Sequence, residues 1–266
     1  MTSNIVFTNQ VAKNYEKYMG PLFFEPYAKD MIGRLPRNIN SVLEIACGTG
    51  QVTRLLRVHL PKARIVATDL NPGMIEVAKK IVGERDKIEW SAADAQELPF
   101  DDNTFDTVLC QFGLMFLPDK QKGVNEAFRV LKPGGRFIFN TWDSMKNNPV
   151  YIIANDVTNS FFSDNPITFW NVPFSMYNPD EMESLMKNAG FTNINAERVF
   201  FEGHTDSALD ATTGLTLGTP MYPAIRERDE KLIPEILKAV SEEIAKKYGE
   251  KSLTIPMNAW VAEGVK

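Results

Sequence analysis

The stretch VLEIACGTGQVTRLL, from Val42 to Leu56, joins an apolar run to a glycine turn and then to a helical pattern. Val42–Ala46 is apolar apart from one acid, and Gly48 and Gly50 follow directly. A short apolar run bounded by glycines predicts a buried strand that enters a tight turn. After the turn, apolar residues recur at helical spacing, so the strand is expected to lead into a helix.

The acid inside this predicted strand is Glu44. A carboxylate buried without a partner is costly, so it is a poor core residue. In open parallel sheets, ligands bind beyond the carboxyl ends of the strands, where the order of the strands reverses. We therefore expect Glu44 to face cations, donors or ordered water beside a bound ligand.

Strands and helices alternate along most of the chain, which predicts a parallel sheet with right-handed crossovers. After the first strand, the apolar runs predict six more: 63–70, 87–94, 105–114, 136–142, 191–201 and 253–264. Helical patterns lie between them, at 71–83, 120–131, 178–190 and 233–248. The fold class expected is α/β, a Rossmann-like seven-stranded, mostly parallel sheet with helices on both faces.

Two of these helices contain residues that mark where the helix begins and ends. Asn71 suits an N-cap position, Pro72 the first helical position and Gly83 the end. Asn178 and Gly190 predict the same kind of boundaries for a later helix.

Composition excludes several classes of protein. The 266 residues carry a net charge of −5, so the sequence does not have the excess of basic residues that is typical of a nucleic-acid-binding protein. Two cysteines far apart and two histidines provide neither a disulfide framework nor a metal site. The start of the sequence does not resemble a signal peptide, and no apolar run is long enough to span a membrane. We expect a cytoplasmic protein without a metal, and with no nucleic-acid partner.

Polar residues end three further predicted strands. Asp69 ends the second strand and suits a ribose diol, because a carboxylate can accept two hydroxyl protons. Asp94 and Ala95 follow the third strand, and Gln111 closes the fourth. Since the carboxyl ends of parallel strands meet at one edge, these residues are expected to line one site.

Four motifs in this order carry a family resemblance: VLEIACGTG, ATDLNPGMIEVA, SAADAQELPFDDNTFDTV and LKPGGRFIFNTW, within residues 40–142. The sequence resembles the class I S-adenosylmethionine-dependent methyltransferases, in particular the small-molecule branch of the ubiquinone/menaquinone-biosynthesis type. One departure is Ala46, which stands where the strict family motif has its first glycine.

The resemblance implies that S-adenosylmethionine is the cofactor and S-adenosylhomocysteine the product. It implies ten cofactor-binding residues: Glu44, Ala46, Gly48, Gly50, Asp69, Asn71, Met74, Asp94, Ala95 and Gln111. Ala46, Gly48 and Gly50 would flank the methionine part, with Glu44 in a supporting position. Asp69 would bind the ribose hydroxyls, and Asn71 and Met74 would line the ribose–adenine side. Asp94 and Ala95 would contact the adenine, and Gln111 the methionine backbone. Because Asp69 would serve a ribose rather than the fold, its loss is expected to cost little stability.

The function expected is methyl transfer to a small, partly apolar acceptor, with O, N and C all open as the attacking atom. His204 is the candidate for a catalytic base. Two alternatives remain: a nicotinamide-dependent oxidoreductase, and a non-catalytic cofactor-binding accessory protein of the same fold. The glycine turn fits the first, but Thr53 stands where its fingerprint has glycine or alanine. Aminopropyl transfer is a more distant possibility.

The expected organisation is one methyltransferase domain over residues 1–266. Residues 1–39 would form a helical lid, 40–142 the cofactor-binding core, and 143–177 and 203–251 insertions that build the acceptor pocket. Gly214–Pro223, GLTLGTPMYP, is rich in residues that bend chains and suggests a hinge. The oligomeric state is left open.

Overall fold

The computed structural model of the protein describes residues 9–83 and 87–266. The strands are β1 (Ser41–Ile45), β2 (Arg64–Asp69), β3 (Glu89–Ala92), β4 (Phe105–Gln111), β5 (Leu131–Trp142), β6 (Thr192–Ser207) and β7 (Lys251–Val265). They form one sheet in the order β3-β2-β1-β4-β5-β7-β6, in which neighbours are hydrogen-bonded. β1 to β5 pair in parallel, whereas β7 runs antiparallel to β5. This confirms the predicted fold class.

The α-helices in the described residues are α1 (Asn9–Asn14), α2 (Glu25–Gly33), α3 (Gln51–His59), α4 (Pro72–Val82), α5 (Lys120–Val130), α6 (Pro149–Ser160), α7 (Pro179–Ala189), α8 (Ala208–Leu217), α9 (Met221–Asp229) and α10 (Ile233–Tyr248). A π-helical segment, Tyr15–Phe24, connects α1 to α2. Single 3₁₀ turns lie at Leu114–Phe116, Met145–Asn147, Phe169–Asn171 and Glu230–Leu232.

The predicted helix caps are confirmed. The Asn71 side chain accepts the backbone N–H of Gly73 at the start of α4, and Pro72 is the first helical residue. The Asn178 side chain likewise accepts the N–H of Asp180 at the start of α7, and Gly190 ends that helix with a φ of 103°. The caps satisfy donors that have no partner inside the helix, so the sequence marks these boundaries locally.

Several predicted boundaries differ from the structure. β5 begins at Leu131 rather than at 136, because Leu131 already pairs with Phe105 of β4, and the Lys-Pro-Gly-Gly segment forms an irregularity before the regular pairing resumes at Arg136. β6 extends to Ser207, beyond the predicted end at 201. Residues 208–217 and 221–229 are helical, so most of Gly214–Pro223, which the sequence suggested as a hinge, belongs to α8 and α9.

The chain divides into two compact units, each made of separate segments. The core unit comprises residues 27–143, 173–199 and 259–266, and it contains β1 to β5. The helical unit comprises the described residues up to 26 together with 144–172 and 200–258. Residues 1–8 of the predicted lid lie outside the described residues.

The core unit is built around β1, whose five residues are all buried. A strand buried on both faces is typical of the centre of a parallel sheet. β1 lies between β2 and β4, so the strand order reverses between β1 and β4. This switch point is where ligands bind in sheets of this kind.

In the helical unit, α8 and α10 pack together, and Tyr15 stacks on Phe24 with the ring centroids 4.8 Å apart. A close approach of two backbones occurs there at Gly203 in β6. A Cβ at this position would overlap the backbone oxygen of Leu22 and lie 2.8 Å from its Cδ1 atom. Only a glycine fits at this contact.

Candidate cofactor site at the carboxyl edge of the sheet

The ten predicted cofactor residues all lie in the core unit, in or just after the carboxyl ends of β1 to β4. Glu44 is the next-to-last residue of β1, Asp69 ends β2 and Gln111 ends β4. Asn71 and Met74 belong to the start of α4, and Asp94 follows β3. The parallel sheet thus places them along one edge, as the sequence predicted.

The turn after β1 is held in the left-handed region of backbone space. The φ angles of Ala46, Gly48 and Gly50 are 55°, 55° and 83°. An L-residue in this region costs about 1–2 kcal/mol, and Ala46 carries that strain. The turn is tied down by the N–H of Cys47, which donates to the carbonyl of Thr68 at 2.9 Å.

The two glycines of this turn have different surroundings. A Cβ at Gly48 would meet no atom within 4 Å. A Cβ at Gly50 would lie 3.3 Å from side-chain atoms of both Ala78 and Val82 on α4. Packing against α4 leaves little room for a side chain at Gly50, whereas Gly48 faces open space.

Asp69 connects this turn to the next helix. One carboxylate oxygen accepts the N–H of Gly48 at 2.8 Å, and the other accepts the N–H of Asn71 at 2.8 Å. Burial raises the pKa of Asp69, and the two amide hydrogen bonds oppose that shift. Each oxygen keeps a second lone pair, so the group can still accept hydroxyl protons from a ribose.

Asp94 and Ala95 form a turn after β3. An oxygen of the Asp94 carboxylate accepts the backbone N–H of Gln96 at 2.8 Å and also contacts the Gln96 amide. Ala95 is almost fully buried. The carboxylate thereby fixes the backbone of the turn that the sequence assigns to adenine.

The end of β4 contains a feature that the sequence analysis missed. Phe112 has a φ of 49°, and its N–H donates to the side-chain oxygen of Asn140 at 2.8 Å. Asn140 is the β5 partner of Gln111 and is fully buried. Its Nδ2 atom has no hydrogen-bond partner among the described residues. The sequence signal that could have identified this feature is a polar residue, Asn140, within the apolar strand RFIFNTW, just as Glu44 is a polar residue within the apolar strand β1.

Gly113 brings this turn against the first one. A Cβ at Gly113 would overlap the Cβ of Ala46 and lie 2.9 Å from the sulfur of Cys110. The turns after β1 and β4 therefore touch, and the alanine that replaces the family glycine belongs to that contact.

Glu44 has one hydrogen-bond partner for its carboxyl group among the described residues, the Thr53 hydroxyl, which donates at 2.6 Å. Glu44 is 1% exposed and Thr53 is fully buried. Burial, with a smaller contribution from Asp69, raises the pKa of Glu44 to about 8, and the Thr53 hydrogen bond opposes this. The sequence predicted an unusual environment for this acid but did not identify Thr53 as its donor.

Comparisons with known proteins match the part of the chain that contains this candidate site. A family described as "Methyltransferase domain" matches residues 43–139, which lie in the core unit. The chain is 42% identical over 97 residues to a demethylmenaquinone methyltransferase of Clavibacter sepedonicus, covering 36% of this chain and 39% of that protein. It is 32% identical over 173 residues to the ubiquinone/menaquinone biosynthesis C-methyltransferase UbiE of Haemophilus ducreyi, covering 60% of this chain and 67% of that protein.

This chain belongs to the class I S-adenosylmethionine-dependent methyltransferases. The chain spans from 39% to 61% of the length of three of the curated relatives that it matches, including the protein of Clavibacter sepedonicus. Among solved structures, it resembles Haemonchus contortus phosphoethanolamine N-methyltransferase 2 in complex with S-adenosyl-L-methionine, with a TM-score of 0.60 and 18% identity. That match covers 97% of this chain and 57% of the other, and it shows a shared fold.

The aromatic residues of the predicted lid fall in both units. Tyr27 is fully buried in the core unit, edge-on to Phe112 and Trp142 at 5.3 and 5.5 Å between ring centroids. Phe112 stacks on Trp142 at 4.0 Å. Burial raises the pKa of Tyr27 well above its ordinary value. The Tyr27 ring is therefore part of the packing at the end of β4 and β5.

His204 lies inside β6, not after it as the sequence analysis assumed, because the strand continues to Ser207. The ring is exposed, and its Nδ1 atom lies 3.1 Å from the hydroxyl of Thr254 in the helical unit. Within the described part of the chain, no cluster of three or more metal-ligating side chains occurs. None of the helices described is long and apolar enough to cross a membrane.

Proposed function

We propose that this protein transfers the methyl group of S-adenosylmethionine to a small, partly apolar acceptor. The observation that carries the proposal is that the carboxylate of Asp69 accepts hydrogen bonds from the backbone N–H groups of Gly48 and Asn71. This links the open turn after β1 to the start of α4 and leaves lone pairs for a ribose. Family membership supports the same reaction.

The residues of the core unit fit the cofactor. Gly48 leaves room beside the turn, and the carboxylate of Asp69 is fixed at the end of the neighbouring strand. Met74 and Ala95 provide apolar surface at the ends of β2 and β3. When bound, S-adenosylmethionine supplies an electrophilic methyl group, and the task of the protein is to align the acceptor with it.

The order of the strands supports a position for the acceptor. The proposed contacts run from adenine at β3, through ribose at β2, to the methionine part at β1 and β4. β5 is the next strand in the sheet, and it ends near Asn140. The buried Nδ2 atom of Asn140 has no hydrogen-bond partner among the described residues, and buried polar groups are normally hydrogen-bonded. Asn140 is therefore suited to donate a hydrogen bond to an oxygen of the molecule that is methylated.

The chemistry of the relatives supports an aromatic acceptor. Their names refer to demethylmenaquinone and to ubiquinone/menaquinone biosynthesis. A quinol is small at its reacting ring and partly apolar, as the proposal requires. We also retain residues 1–39 as a lid, and 143–177 and 203–251 as the parts that build the acceptor pocket.

A cytoplasmic location and the absence of a nucleic-acid partner belong to the same proposal. Both cysteines, Cys47 and Cys110, are buried free thiols, which suits a reducing compartment. The net charge of −5 argues against nucleic acid.

The proposal is tested by calorimetry and by an assay for S-adenosylhomocysteine formation. S-adenosylhomocysteine should bind and stabilise the fold by about 2.7 kcal/mol at a hundredfold excess over its dissociation constant. A naphthoquinol, a phenol and a primary amine would be compared as acceptors. Heat with NADH and none with S-adenosylhomocysteine would support the oxidoreductase alternative. Cofactor binding without turnover of any acceptor would favour the accessory protein.

A further inference from the structure

Thr53 has no role in the family resemblance, yet its hydroxyl makes the single hydrogen bond to the Glu44 carboxyl group among the described residues. It lies in the first turn of α3, which begins directly after the glycine turn. The oxygen–oxygen distance of 2.6 Å lies within the range of a well-formed O–H···O hydrogen bond. Glycine or alanine at this position would leave the carboxyl group without a donor.

The surroundings of Glu44 contain acids rather than cations. The titratable groups that interact with it are Asp69 at the end of β2, Cys47 in the turn and Cys110 in β4. In the part of the chain that the structure describes, no Lys, Arg or His forms an ion pair with Glu44. A negative charge on Glu44 is therefore opposed by burial and by Asp69, and it is favoured by Thr53 alone.

A bound cofactor changes this balance. S-adenosylhomocysteine carries a protonated amino group on its homocysteine part, which corresponds to the methionine part that the family resemblance places at the turn after β1. A cation near a buried carboxyl group favours the ionised form. Because burial raises the pKa of Glu44 to about 8, the free protein holds a proton there near neutral pH, and ligand binding would release it.

We propose that Thr53 is a positioning residue of the cofactor site, whose hydroxyl orients the Glu44 carboxyl group and supports its ionised form, so that cofactor binding is coupled to loss of a proton from Glu44. This inference rests on the proposed function. It extends that function because Thr53 determines the pH range in which the cofactor binds well.

Two threonines provide a matched pair of variants. Thr53 donates to the Glu44 side chain, whereas Thr68 donates to the Glu44 backbone carbonyl at 3.2 Å. Both are buried, so Thr53→Val and Thr68→Val remove similar hydroxyls from similar surroundings. Thr53→Ser keeps the hydroxyl and serves as the rescue.

The experiment measures the affinity for S-adenosylhomocysteine between about pH 6 and pH 8.5, in buffers with different heats of ionisation. In the unmodified protein, affinity should rise with pH by up to about tenfold per unit below the pKa of Glu44, with release of a proton. Thr53→Val should bind about tenfold more weakly near neutral pH, with its rise moved to higher pH. Thr53→Ser and Thr68→Val should keep the original profile.

Other results overturn the inference. A Thr53→Val protein with the original affinity and profile would do so, as would a loss that is equal at every pH and is not restored by serine. If Thr53→Val does not fold, the Glu44→Gln variant provides the test. It should bind S-adenosylhomocysteine with an affinity that does not rise with pH, and without release of a proton. A pH-independent affinity in the unmodified protein would also contradict the coupling. Absence of S-adenosylhomocysteine binding at every pH would instead reject the proposed function.

Discussion

Gly48 follows a strand in the core unit and Gly203 lies within a strand in the helical unit, and the surroundings of the two glycines are opposite. A Cβ at Gly48 would meet nothing within 4 Å, whereas a Cβ at Gly203 would overlap the backbone of Leu22. The first glycine leaves room for a ligand, and the second lets two backbones approach. The comparison shows that substitutions in the two units should separate ligand binding from stability.

Gly203→Ala should have the largest effect. The added methyl group meets a backbone oxygen, which cannot move aside as the end of a side chain can. We expect a loss of about 3 kcal/mol in the free energy of unfolding, at the upper end of the range for overpacking. Urea unfolding measures it, and an unchanged midpoint would show that the contact with Leu22 is looser than described.

Asp69→Ala tests the core unit, and the structure corrects the expectation of little lost stability. The carboxylate accepts the N–H groups of Gly48 and Asn71, so its removal costs about 1–3 kcal/mol of stability. Affinity for S-adenosylhomocysteine should fall by about 1.5–3 kcal/mol as well. Asp69→Asn keeps one acceptor and should lose less stability. Unchanged affinity in folded Asp69→Ala would remove this residue from the site.

The pH dependence of the free energy of unfolding tests the buried environment of Glu44 in the core unit. Its pKa in the folded protein, about 8, lies above the ordinary value of 4.5, so the folded state binds the proton more tightly. The stabilisation is complete below about pH 4.5 and is lost as the pH rises through about 8, at up to about 1.4 kcal/mol per pH unit.

The measurement compares the unmodified protein with Glu44→Gln and with Glu97→Gln, which alters an exposed glutamate. Unfolding free energies across this pH range should fall less steeply in Glu44→Gln, whereas Glu97→Gln should follow the unmodified protein. Equal slopes in all three proteins would contradict the assignment.

Gly48→Ala should cost about 1–2 kcal/mol of stability, since the space is open and only the positive φ opposes the side chain. Its effect on the ligand should be the larger one, because the methyl group would occupy the space that we assign to the cofactor. Calorimetry with S-adenosylhomocysteine and thermal unfolding test this together. A variant that loses stability but binds normally would place the cofactor elsewhere.

His204→Gln should have the smallest effect on the fold, within about 0.5 kcal/mol, because the ring is exposed. If His204 is the catalytic base, turnover should fall by about 100-fold or more while cofactor affinity is kept. Thr254→Val, which removes its hydrogen-bond partner, is the control for a purely structural effect. Normal turnover in His204→Gln would end this hypothesis.

The sequence predicted those parts of the molecule that depend on local chemistry. Asn71 and Asn178 mark helix starts because a cap acts within three residues, and the buried run at β1 defines the centre of the sheet. The roles of Asp69 and Gly48 in the site remain predictions, although the structure joins them by a hydrogen bond.

Features that depend on distant neighbours escaped the sequence analysis. The role of Thr53 depends on its contact with Glu44, and the role of Asn140 depends on the position of β5 beside the end of β4. Gly203 resembles any strand glycine until Leu22, far away in the chain, is placed against it. Helix and strand patterns report periodicity along the chain, and they contain no information on which faces meet.

The position of β7 between β5 and β6 has a consequence for synthesis on the ribosome. β6 is completed at Ser207, but its neighbour in the sheet begins at Lys251, after all of α8, α9 and α10. At about 5–20 residues per second, the nascent chain carries β6 for several seconds with both edges unpaired. An unpaired strand edge invites pairing with other chains, so protection of the growing polypeptide by chaperones matters most during this interval.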